Sequence, residues 1–184
     1  MNPVLLSSIL IIFFGIPVAV QSATKPLSGY NIIVVEKVAI EKNPGTEQFA
    51  DAFALTLQHK LIERLRRQKK LFLEVVDPRY GEAWPPELYP PGTKKIVLST
   101  VVVEWDPGTL ALREYIGLWA GAMTLRAKFI FRDPLTNEEK LTLHATGKVF
   151  GNFLNKNPTI FHKDLNEACQ NAANNLIKQI KRNR

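Results

Sequence analysis

The chain of 184 residues is poor in the side chains most often used for covalent chemistry. A single cysteine excludes a disulfide scaffold and any thiolate metal cluster. Three histidines, His59, His144 and His162, are too scattered to place two metal ligands on one helical face. Beyond residue 23 there are two serines, Ser28 and Ser99, and neither sits in a Gly-x-Ser-x-Gly elbow. The phosphate-loop pattern and Gly-x-Gly-x-x-Gly are absent too. Carboxylates pair at Glu104-Asp106 and Glu138-Glu139, both beside turns, where solvated acids are the ordinary outcome. Cys169 falls on the apolar stripe of a helix, where a thiol is usually structural. The expectation is a protein that is not an enzyme, with no catalytic residue, no metal ligand and no cofactor.

Charge is missing from the first 24 residues altogether. Val4 to Val20 is an apolar run broken only by two serines, a glycine and a proline. Gly15 and Pro17 break a helix near its end, and Val20-Gln21-Ser22 offers small residues for cleavage after Ser22 or Ala23. Residues 1–23 therefore read as a signal peptide, with an uncleaved anchor as the alternative. Neither reading provides a lipid-accepting cysteine at the cleavage point. The remaining residues, 24–184, have the size of one exported domain, large enough to fold without staples. Hydrophobic residues make up 46% and charged ones 22%, which excludes disorder as the main theme. The net charge of +7 lies after Ala23 and suits either anionic neighbours or simple solubility.

Along this domain the periodicity changes repeatedly. Asn31 to Ile40 is rich in β-branched residues and reads as a strand. From Thr46 to about Lys70, Ala50, Phe53, Ala54, Leu57, Leu61 and Leu65 recur at three- and four-residue steps and predict one buried helical face. Leu71 to Val76 reads as a second strand. Residues 77–93 hold five prolines, two tyrosines and a tryptophan and read as a long loop. Lys94 to Trp105 is apolar almost throughout, which suits a central strand covered on both faces. Leu110 to Met123 fits no period. Alternation then predicts strands over Leu125–Arg132 and Leu141–Val149, joined at a turn around Asp133-Pro134-Leu135-Thr136-Asn137. Pro158-Thr159 opens a last helix with Leu165, Cys169, Ala172, Leu176 and Ile180 on its face. The order is strand, helix, strand, long loop, three strands, helix. That predicts an α/β (α+β) domain in which two amphipathic helices cover one mixed sheet of about five strands.

Two kinds of surface stand out. In the loop, Trp84 and Tyr89 are held beside prolines and present stiff apolar area suited to protein recognition or to packing on the domain itself. Arg113, Tyr115, Gly117, Trp119 and Gly121 come next, in the stretch of uncertain burial, where a partner surface, self-association or core packing each fit. The other kind is basic. Arg64, Arg66, Arg67, Lys69 and Lys70 crowd the end of the first helix, and Lys178, Lys181, Arg182 and Arg184 the end of the last. Cations at a helix C-terminus complement its dipole, and they also suit an anionic surface.

The arginine, the glycine pair, a strand ending in Arg132-Asp133-Pro134-Leu135-Thr136-Asn137, a second strand and a closing helix resemble an uncharacterised family of bacterial envelope lipoproteins. That family resembles in fold the curli-secretion channel subunit and the N-terminal domain of TolB. The resemblance implies a β-α-β-β-β-α domain at the periplasmic face of the outer membrane that acts by binding other proteins. It carries no catalytic residues. This chain departs from it in lacking the lipid-accepting cysteine, in keeping just Gly117 and Gly121 of a richer glycine run, and in placing Asn137 where the turn usually has glycine. The expected function is a non-catalytic envelope protein, periplasmic and partnered by another envelope protein or by itself. The alternative is a module binding an anionic membrane surface, with nucleic acid disfavoured by export.

Overall fold

A computed structural model describes residues 25–41, 50–79, 90–106, 122–149 and 159–184. Its six strands and two helices run in the order β1 (Tyr30–Val35), β2 (Ala39–Ile40), α1 (Ala50–Arg66), β3 (Glu74–Val76), β4 (Lys94–Asp106), β5 (Met123–Arg132), β6 (Glu139–Val149) and α2 (Thr159–Arg182). The strands form one mixed sheet in the order β3-β1-β4-β5-β6, with β2 pairing β4 beyond the end of β1. β1 is parallel to β3 and to β4, while β4, β5 and β6 are successively antiparallel. The α+β class and the helix-covered mixed sheet are as the periodicity predicts.

The elements differ in extent from the sequence reading for local reasons. The run from Asn31 to Ile40 is divided at Glu36–Val38, where the Glu36 N–H still donates to the Leu98 carbonyl (3.0 Å). One apolar stretch thus supplies two strands. The strand expected from Leu71 shrinks to Glu74–Val76, because Leu71 and Phe72 turn inward as core residues. β4 is central, and its two faces are covered unequally. Ile96, Leu98, Thr100 and Val102 are buried, whereas Val97, Val101 and Val103 are half-buried. A register shift between Val102 and Glu104 returns Trp105 to the core side, 4.7 Å from the Phe53 ring.

The core lies between the sheet and the helices. α1 contributes Phe53, Ala54, Leu57, Leu61 and Leu65, and α2 contributes Leu165, Ala168, Cys169, Ala172, Leu176 and Ile180. Each fully buried leucine is worth about 2 kcal/mol of transfer free energy. Ile32, Val76 and Ile130 are buried outside that cluster, on positions that alternate with the core-facing ones. Burial lifts the Cys169 thiol to about 12, so it stays protonated and unreactive near neutral pH.

Candidate functional site

The direction of α2 is set by side chains that reach the free edge of β6. Asn171 Nδ2 donates to the Lys148 carbonyl (3.0 Å), Asn175 Nδ2 to Thr146 (2.8 Å) and Gln179 Nε2 to His144 (2.8 Å). Four helical residues rise about 6.0 Å and two strand residues about 6.7 Å, so one amide meets every second carbonyl. Rising numbers on the helix meet falling numbers on the strand, so α2 runs antiparallel to β6. Gly147 permits the close approach, since a Cβ there would lie 1.9 Å from the Ala168 carbonyl oxygen.

α1 joins the parallel strands β1 and β3 and so runs opposite to them. The strand directions make the two helices parallel, with both C-termini at the end of the sheet where β1 and β4 begin. Contacts at that end confirm it. The Arg184 guanidinium lies over the Phe72 ring, 5.0 Å from its centroid, just beyond α1. The Leu27 N–H donates to the Asn183 carbonyl (3.1 Å). The start of the domain, the turn after α1 and the end of α2 are therefore tied together.

This arrangement joins most of the basic residues singled out in the sequence. Arg66, Arg67, Lys69 and Lys70 are exposed at the end of α1, with Arg64 half-buried, while Lys181 and Arg182 are exposed at the end of α2 beside Arg184. Lys178 is set apart. It faces a groove shared with Thr146, Lys148, Asn171, Asn174 and Asn175, on the β6 side of α2. Over Glu63–Lys70 and Lys178–Arg184 the sequence holds nine cations and one carboxylate. Glu63 accepts from Lys60 (3.3 Å) and Arg67 (2.5 Å), and the hydrogen bond from Lys60, with these nearby charges, holds its carboxyl below the ordinary glutamate value. Lys69, Lys70, Lys181 and Arg182 form no ion pair among the described residues.

A cleft of about 550 Å³ opens where α1 ends against the turn after β3. Asp77 and Arg79 line it, two residues that the sequence places at the start of the proline-rich loop 77–93. Asp77 is buried and accepts Arg79 Nε (2.9 Å) and Nη2 (2.6 Å) on its two oxygens, plus the Arg79 backbone N–H (3.1 Å). Those bonds from Arg79 hold its carboxyl below the ordinary aspartate value. Arg66 Nη2 donates to the Val75 carbonyl (3.4 Å), which places its guanidinium at the same cleft. An apolar-acid-proline-basic string such as Val76-Asp77-Pro78-Arg79 gives no sign that its basic member will meet a helix end.

The carboxylate pairs are engaged as surface groups. Glu104 accepts from Arg126 (2.7 Å) and Glu138 from Lys140 (2.5 Å), while Glu139 accepts from the Thr142 hydroxyl (2.5 Å). Trp84, Tyr89, Arg113, Tyr115, Gly117, Trp119 and Gly121 lie outside the described residues, as do residues 1–24. No helix among the described residues is long and apolar enough to cross a membrane.

No protein-family model matches the chain, and no curated protein matches it in sequence. Among solved structures it is similar to protein XCC0632 of Xanthomonas campestris, of family DUF330, at 8% identity and a TM-score of 0.52, covering 84% of this chain and 85% of that one. This similarity shows the fold. The PelC dodecamer of Paraburkholderia phytofirmans is a looser match, with 12% identity, a TM-score of 0.47 and coverage of 79% and 85%. Lipoprotein GNA1162 of Neisseria meningitidis is looser again, with 14% identity, a TM-score of 0.43 and coverage of 83% and 99%. Kinship with the curli-secretion channel subunit and TolB stays an expectation.

Proposed function

We propose that this chain is a non-catalytic, exported envelope protein that docks on an anionic membrane surface through the joined C-terminal ends of its helices. The observation that carries the reading is the convergence of two basic segments, about 110 residues apart in sequence, on one end of the sheet. Dipole compensation alone needs less. One or two cations per helix end offset the partial negative charge, each for about 0.3–1 kcal/mol. The position of Lys25 adds a second support. Its carbonyl accepts from the Ser28 N–H (2.9 Å), next to the Leu27–Asn183 bond, so the uncharged run of residues 1–24 joins the domain at the basic end. A retained run and the cations would then face the same membrane.

The test is cosedimentation of the purified chain with phosphatidylcholine vesicles, with and without phosphatidylglycerol, across a salt series. Binding confined to the anionic vesicles, falling steeply from about 0.05 M to about 0.3 M salt, is the expected result. No binding at the lowest salt, or a flat salt response, overturns the reading.

A second reading rests on the Trp84-Pro85-Pro86 and Tyr89-Pro90-Pro91 sequences, which suit recognition of another envelope protein or a second copy. Alanine at Trp84 and Tyr89 should weaken capture of such a partner and leave vesicle binding intact. Unchanged capture removes the loop from that role.

A further inference from the structure

We infer that the cleft between the end of α1 and the turn after β3 is a discrete site for a phosphate-bearing lipid headgroup. This deepens the membrane-surface reading and rests on it. Four cations border the cleft: Arg66, Arg67 and Lys69 from the helix end and Arg79 from the turn. Its two carboxylates are both engaged. Asp77 is spanned by the Arg79 guanidinium, and Glu63 by Arg67 and Lys60. These pairs hold Arg79 and Arg67 in place and neutralise the groups that would repel an anion. Asp77 also feels the Arg66 charge, yet the four cations of the cleft outnumber its two carboxylates, Asp77 and Glu63, by two.

A net excess of two positive charges matches a phosphate better than a single carboxylate, because a phosphate monoester carries about −1.5 to −2 near neutral pH. The planar fork of an arginine also suits tetrahedral phosphate oxygens. The opposing factor is the helix C-terminus, whose free carbonyls disfavour an anion. Here the last turn is partly closed. The Leu65 carbonyl accepts the Gln68 N–H (2.8 Å) and the Glu63 carbonyl accepts the Arg67 N–H (3.3 Å). A volume of about 550 Å³ exceeds that of a bare phosphate and leaves room for the glycerol end that carries a monoester headgroup. Lys70 stands exposed beside the cleft residues in sequence, and Lys181 and Arg182 end the neighbouring helix, so a membrane held there would meet a charged rim.

The experiment compares Arg66→Gln/Lys69→Gln with Lys181→Gln/Arg182→Gln in the full chain. Each pair removes two charges from the same end of the molecule, but only the first belongs to the cleft. Vesicles of phosphatidylcholine doped with phosphatidic acid are the probe, and inorganic phosphate at constant ionic strength is the soluble control. The expected result is that the cleft pair weakens vesicle binding about tenfold more than its charge-matched partner, the size of one lost charge-assisted bond. Equal losses overturn the site and leave the broader surface reading standing. If wild-type protein ignores vesicles at low salt while phosphate raises its melting temperature and not that of the cleft variant, the lipid assignment is overturned in favour of a soluble phosphate. Should the loss of the Arg66–Val75 bond unsettle the fold, Lys69→Gln against Lys70→Gln carries the same comparison on exposed side chains.

Discussion

The two flanks of the sheet are finished in opposite ways. At β6 the strand is long, ten of its pairings with β5 are defined, and helix amides occupy its outward carbonyls. At β3 the strand is three residues long and is followed by an ion pair between buried Asp77 and exposed Arg79, beside a charged cleft. The first flank uses side-chain chemistry to satisfy the backbone. The second leaves charge pointing outward. A free strand edge invites pairing with another chain, and the molecule blunts one edge by covering it and the other by brevity and charge. The difference teaches that one edge can be sealed by packing while the other is left short and charged, each through its own few residues.

The most severe way to break the comparison is on the covered flank. Gly147→Ala puts a Cβ against the Ala168 carbonyl, where neither backbone can yield cheaply, and should cost about 3 kcal/mol or more in urea unfolding. Unaltered stability would mean that α2 does not pack this closely on β6. Replacing Asn171, Asn175 and Gln179 together by alanine should cost about 2–3 kcal/mol, roughly 1 per bond. It should also raise the tendency to form dimers by sedimentation, as the edge is uncovered. If Asn175→Ala alone, at the part-buried 2.8 Å bond, costs nothing, the amides do not seal the edge.

Effects on the charged flank are smaller. Asp77→Asn should cost about 1–2 kcal/mol at neutral pH. Because Arg79 holds the Asp77 carboxyl below its ordinary value of about 3.9, the pair's contribution is present above that pH and disappears as pH falls through the lower folded value. Unfolding measured from pH 6 down to pH 3 should therefore show wild type converging on the variant at the acid end. Smallest of all, Lys69→Gln should change stability by less than about 0.5 kcal/mol while weakening attachment to anionic vesicles. A stability loss as large as that of Asp77→Asn would erase the distinction between the flanks.

Much of this architecture was legible in the sequence. Helical spacing of Leu57, Leu61 and Leu65, and alternation through Leu125, Ala127, Phe129 and Phe131, expressed burial on one side directly. Asn137 was legible at the turn as well. It adopts φ 55°, and the Asp133 carboxylate accepts the Leu135 N–H (2.9 Å) beside it. What local pattern did not carry was adjacency between distant segments. Nothing in Arg66, Lys69, Arg182 or Arg184 tells that two helix ends share one end of a sheet, since strand directions decide it. Asn171, Asn175 and Gln179 were invisible for a related reason. As polar residues beside an apolar stripe they look like a solvated face, and only the position of β6 gives them partners. Arg79 was hidden in a proline-rich stretch that periodicity cannot read.

The tie between Leu27 and Asn183 fixes where a tether would be attached. If the uncharged N-terminal run is retained in a bilayer, a connection of few residues holds the basic end at an effective concentration of about millimolar at the lipid surface. Contacts too weak to recruit a free protein would then be saturated. The processed form would come and go with salt, whereas the retained form would stay oriented, with its cleft against the headgroups, at ionic strengths that release the other.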